Sequence, residues 1–194
     1  MKTRILACFA AAAVTFPTIA SAHPGHDGHE LTWDFTSGFG HPFSGWDHWL
    51  AMVAVGVWAF ILGGRARWLI PATFVAAMAA AAVICRTGFL PSLAEQGIAA
   101  SLLVLGLLIS FSMHLRLQVG VPLVALFAAF HGMAHGAELP SGANILGYAA
   151  GFVAATTALH LVGYYFASRF SAERQLARAA GLFVAAFGLI LLLR

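Results

Sequence analysis

Six hydrophobic runs, at 46–62, 68–85, 97–113, 119–137, 143–167 and 179–193, govern what this 194-residue chain can fold into. A helix rises 1.5 Å per residue, so about 20 apolar residues cross a hydrocarbon layer of roughly 30 Å, and the chain has room for about six such spans. With 61% of residues hydrophobic and 9% charged, there are too few polar groups to coat a water-soluble globule. The bilayer must act as the solvent. The expected fold class is therefore an all-α membrane protein, with a six-helix transmembrane domain over 44–194. Gly63-Gly64-Arg65, Pro91-Ser92, Gly120 with Pro122, Pro140-Ser141-Gly142 and Ser168-Arg169 mark the breaks between runs. The formal charge of +3 does not point to nucleic acid, because the basic residues sit scattered at helix ends and form no dense patch.

Residues 1–22 follow the plan of a secretory signal: Lys2 and Arg4, an apolar stretch to about Ile19, then Ala20-Ser21-Ala22. Cleavage after Ala22 leaves 23–43 as a periplasmic, histidine-containing amino-terminal segment. Six spans then put both mature termini in the periplasm. Arginine placement gives an independent reading: Arg65, Arg67, Arg116, Arg169, Arg174 and Arg178 fall in the three loops expected inside, and only Arg86 and Arg194 fall outside. After cleavage Cys85 is the one cysteine left, so a metal site here must be built from nitrogen and oxygen. Gly132 with Gly136, and Gly147 with Gly151, are small-xxx-small pairs that let helix backbones approach closely. The three-plus-three arrangement invites an inverted-repeat reading, but the two halves share no defensible similarity.

Polar groups are costly in hydrocarbon and need a reason to be there. In the fourth run, His131, His135 and Glu138 share one helical face at i, i+4 and i+7. Two imidazoles one turn apart can bind one divalent ion, and the carboxylate can be a third ligand or orient a ring. At the start of the first run, His41 precedes Asp47-His48. Asp47 also suits a helix amino terminus, where a carboxylate accepts free backbone N–H groups. Since the first helix should begin, and the fourth end, at the outer face, both clusters belong to the outer half of the membrane. They can meet at one ion if the two helices pack together. Metal capture is expected ahead of this site from His23, His26 and His29 near the mature amino terminus. Thr156 and His160, one turn apart in the inner half of the fifth helix, mark a possible inward pathway or a histidine bonded to neighbouring hydroxyls.

These blocks give the chain a resemblance, over essentially its whole length, to the HupE/UreJ family of nickel and cobalt permeases. It rests on the His23-Pro24-Gly25-His26 start after a signal, on His41-x5-Asp47-His48 continuing into Trp49-Leu50-Ala51-Met52, and on Phe130-His131-Gly132-x-Ala134-His135-Gly136-x-Glu138. The resemblance implies secondary transport of Ni2+ or Co2+ across a bacterial inner membrane, supplying metalloenzymes such as urease or hydrogenase. It makes His41, Asp47, His48, His131, His135 and Glu138 the functional set. The residues alone stop at a divalent metal ion. The protein is not expected to be an enzyme or to hold a permanent cofactor, its partners being the transported ion and the lipid bilayer. Two other classes stay open on the residues: a zinc-dependent intramembrane hydrolase and a haem-binding membrane protein.

Overall fold

The computed structural model describes residues 33–86, 93–138, 144–170 and 172–194, the side chain of Glu138 excepted. They lie within one unit, Leu31–Arg194. The signal sequence, its cleavage position and His23, His26 and His29 fall outside the described residues. All the regular structure described is helical. A short helix α1 (Phe35–Gly40) leads through a 3-10 turn (His41–Phe43) into α2 (Trp46–Leu62). There follow α3 (Ala66–Cys85), α4 (Ala94–Ser110), α5 (Leu117–Glu138), α6 (Ile145–Arg169) and α7 (Arg174–Leu192). Each of the six apolar runs thus holds a helix.

Among the described residues α3, α5, α6 and α7 are long and apolar enough to cross a membrane. So is the segment from α1 through α2, taken as one element bent by 84°. α4 is apolar and 17 residues long, about 25 Å of helix. Large apolar side chains also cover the outside of the bundle, Trp68, Val83, Leu126, Val162, Phe183 and Ile190 among them, as lipid contact requires. This is a multi-pass membrane protein.

The unexpected element is α1. The sequence reading assigns no helix to 23–43, yet 35–43 is helical and folds back against α6. Its start is fixed by Asp34, whose Oδ1 accepts the amides of Thr36 at 2.9 Å and Ser37 at 3.1 Å. The apolar signal was there but short: Phe35, Phe39 and Phe43 recur every four residues and form an outer stripe, with ring centroids 6.2 and 6.1 Å apart. Gly38 faces the other way, directly on the Tyr148 carbonyl of α6.

Such contacts recur through the bundle. Apolar tails offer no hydrophobic drive for helices to associate in lipid, so close backbone packing has to supply it. α3 packs most extensively on α5, α4 on α7, and α2 on α6. A Cβ at Gly132 would strike the carbonyl of Met78, and one at Gly136 would lie 2.5 Å from that of Ala82. Gly163 sits on the Val53 carbonyl, and Gly56 on that of His160. Of the second glycine pair, Gly151 packs against Phe35 of α1, whereas Gly147 takes no part in helix packing. Its amide donates to the Asn144 side chain at 3.0 Å, capping α6. Gly63 and Gly64, with φ of 65° and 49°, reverse the chain between α2 and α3 in a conformation that other residues adopt at a cost.

The core runs along the centre of these helices, with Met52, Trp58, Ile70, Phe74, Leu102 and Leu105 fully buried. Gly163→Val should therefore lower stability by about 1–3 kcal/mol, because the added atoms meet backbone that has no room to retreat. The check is thermal unfolding of the purified protein in detergent. A melting temperature equal to wild type would show that α2 and α6 do not depend on this close approach.

Candidate metal site

The sequence from His41 to His48 is a turn built to aim side chains inward. Pro42 sits in the first positions of the 3-10 turn, with its φ preset. Ser44 then closes the turn on the His41 carbonyl, through its amide at 3.0 Å and its hydroxyl at 2.7 Å. Gly45 is extended and begins α2, and a Cβ there would sit 2.5 Å from Asp47 Oδ1. The 84° bend that results carries His41 into the interior, where it is 8% exposed.

Three imidazoles converge there from three places in the chain: His41 from the turn, His48 from the first turn of α2, and His135 from the last turns of α5. One nitrogen of each lies within 4.8 Å of the others. His41 Nε2 and His135 Nδ1 are 2.9 Å apart, a hydrogen bond in which one ring donates and the other accepts. The His48 and His135 rings meet edge to face at 4.4 Å between centroids. At a metal–nitrogen distance of about 2.1 Å two ligand atoms can be at most about 4.2 Å apart. The cluster therefore needs to contract, and to lose the proton between His41 and His135, to hold one ion.

The other predicted residues take up distinct places. Asp47 stands beside the cluster rather than in it: its Oδ1 accepts the His48 amide at 3.0 Å and lies 3.7 Å from His48 Nδ1. It thus serves the helix start and supplies a negative charge near the imidazoles. His131 lies one turn deeper than His135, fully buried, with its ring 5.9 Å from that of His48. Its Nδ1 is 3.0 Å from the Phe127 carbonyl. A carbonyl only accepts, so the proton is on Nδ1 and the lone pair on Nε2, which has no partner among the described residues. This is the tautomer a metal ligand needs. The side chain of Glu138 and the whole of His23, His26 and His29 are outside the described residues. Thr156 and His160 are buried in α6, away from the three-histidine cluster. The hydroxyl bonding weighed for His160 is not present, since neither of its ring nitrogens has a hydrogen-bond partner among the described residues.

α2 and α5 come together differently from expectation. They do not pack backbone to backbone as α3 with α5 and α2 with α6 do. Imidazoles bridge the space between them instead. The walls of that space are aromatic residues missed in the sequence reading. Phe152 lies 5.7 Å from His41 and 4.8 Å from His135, Tyr148 lies 5.9 Å from His41, and Phe74 lies 5.5 Å from His131, between ring centroids. A signal for two of them existed: Tyr148, Phe152, Thr156 and His160 recur every four residues and make one inward stripe on α6. Phe74 carried none, since it is one apolar residue within an apolar run.

Three imidazoles with a carboxylate beside them, enclosed by aromatic rings, are a donor set that could hold a divalent ion of the later first transition series. The chain matches the HupE / UreJ protein family over residues 11–191. It is 46% identical over 184 residues to Protein HupE of Rhizobium leguminosarum bv. viciae, covering 93% of this chain and 94% of that protein. No solved structure matches. Residues 11–191 take in the whole histidine cluster and every described helix but the last residue of α7, and on that extent of similarity this chain belongs to the HupE/UreJ family.

Proposed function

We propose that this protein is a secondary permease that takes up a divalent transition metal, Ni2+ first and Co2+ second, across a bacterial inner membrane. The observation that carries the reading is the convergence of His41, His48 and His135, within 4.8 Å, from three separate segments of a membrane bundle. Three imidazoles offer neutral donors, and Asp47 offsets part of the charge of the ion as its water is stripped. Membership of the HupE/UreJ family favours nickel and cobalt over the other metals such a donor set would accept. The ion would go on to metalloenzymes such as urease or hydrogenase.

We read α2 to α7 as six spans, with α1 and its turn re-entering the bundle from the periplasm. Arginine placement supports this orientation. The helix ends remote from the cluster gather around a cavity of about 590 Å³ lined by Phe60, Phe111, His114, Phe170, Arg174 and Arg178, so the loops rich in arginine share the end opposite the histidines. The metal site then faces the periplasm. His23, His26 and His29, exposed by signal cleavage, would gather metal ahead of it.

Uptake of Ni2+ by proteoliposomes tests this. His41→Ala, His48→Ala and His135→Ala should each reduce uptake at limiting metal by about ten- to a hundredfold, the range for loss of a metal ligand or its orienting partner. Wild-type uptake in all three, with normal insertion, would overturn the site. Removal of residues 23–30 should raise the metal concentration needed for half-maximal uptake and leave the maximal rate unchanged. Identical uptake at low metal would reduce that segment to a spacer.

A further inference from the structure

A second polar position lies deeper in the bundle, and nothing in the cluster just described uses it. His160 on α6 is 3% exposed, and both its ring nitrogens are without a hydrogen-bond partner among the described residues. One turn earlier on the same face, the Thr156 hydroxyl is fully buried and equally unpartnered. Leaving a buried polar group unsatisfied costs about 1–3 kcal/mol. An apolar residue of similar volume would avoid that cost, so stability does not account for a histidine here.

Position gives the account. Phe74 of α3 is fully buried, and its ring lies 5.5 Å from that of His131 and 5.3 Å from that of His160, between centroids. Along α6, Phe152 touches the outer cluster at 4.8 Å from His135, and His160 follows eight residues on, about 12 Å farther along the axis. The order from the cluster inward is His135, His131, Phe74, His160. Beyond them Trp58 is fully buried, its indole N–H donating to the Met113 carbonyl at 3.1 Å.

We infer that His160 and Thr156 form an inner station for the transported divalent cation, separated from the three-histidine cluster by the ring of Phe74. This rests on the permease reading above. The inner donor set, one imidazole and one hydroxyl, is poorer than the outer set of three imidazoles beside a carboxylate. Capture outside and release inside need that asymmetry, because an ion bound equally tightly at every step does not leave. The ion completes its coordination at the inner station with water it retains. Displacement of Phe74 is what joins the two stations.

The experiment uses the full-length protein, assayed for equilibrium Ni2+ binding in detergent, for Ni2+ uptake in proteoliposomes and for thermal unfolding. His160→Leu should bind Ni2+ within about twofold of wild type, because the outer cluster is intact, while uptake falls about tenfold or more. Its melting temperature should equal or exceed that of wild type, which a structural histidine would not permit. Thr156→Val should reduce uptake in the same direction and by less. Wild-type uptake by His160→Leu, in a preparation where His48→Ala has lost uptake, overturns the inner station and leaves the outer site standing. Failure of the permease reading looks different: His48→Ala and His135→Ala then bind and take up Ni2+ as wild type does, and the inner station falls with it.

Discussion

The contact between a glycine on one helix and a carbonyl on its neighbour is the feature on which the rest of this bundle depends. Gly132 and Gly136 hold α5 against α3, Gly56 and Gly163 join α2 to α6, and Gly38 and Gly151 seat α1 on α6. On α5 the glycines and the histidines alternate in sequence at 131, 132, 135 and 136. Successive residues point about 100° apart, so the glycine face turns to the α3 backbone while the histidine face turns to one side of it. One six-residue stretch thereby closes a helix interface and presents two imidazoles beside it.

The site inherits its geometry from that division. α2 and α5 stand apart, and imidazoles span the space, walled by Phe74, Tyr148 and Phe152. The hydrogen bond between His41 and His135 ties the re-entrant turn to α5. A divalent ion would take over that link in place of the shared proton. Asp47 illustrates how one group serves two ends. Its carboxylate satisfies an amide at the start of α2, and the same fixed position brings negative charge beside His48.

Several parts of this were legible in the residues. The paired motifs around His48 and His135 were readable because a polar group inside an apolar run stands out, and helical spacing fixes the face it shares. That both motifs lie at one end of the bundle followed from alternating helix direction. His41 was readable as a candidate from the resemblance, but not its route inward. α1 is too short for an apolar run to register, and a turn is set by the backbone around Pro42 and Gly45 rather than by any periodicity. The separation of the four histidines into a cluster of three and a deeper His131 was also beyond the sequence. Residues at i and i+4 share a face, yet one helical turn of depth decides which of them reaches His41.

The sequence by itself determined a helical membrane protein, the segments that become its helices, and a set of nitrogen and oxygen groups of the kind that ligate a divalent ion. These depend on local composition and period, which do not require knowing which helices touch. Only the tertiary structure decided that α1 folds back to deliver His41, that α2 and α5 meet through side chains, and that the Phe74 ring contacts both His131 and His160. Those facts arise from which glycine faces which carbonyl across the bundle. An apolar face in lipid has no preferred neighbour until two backbones can approach closely enough to choose one.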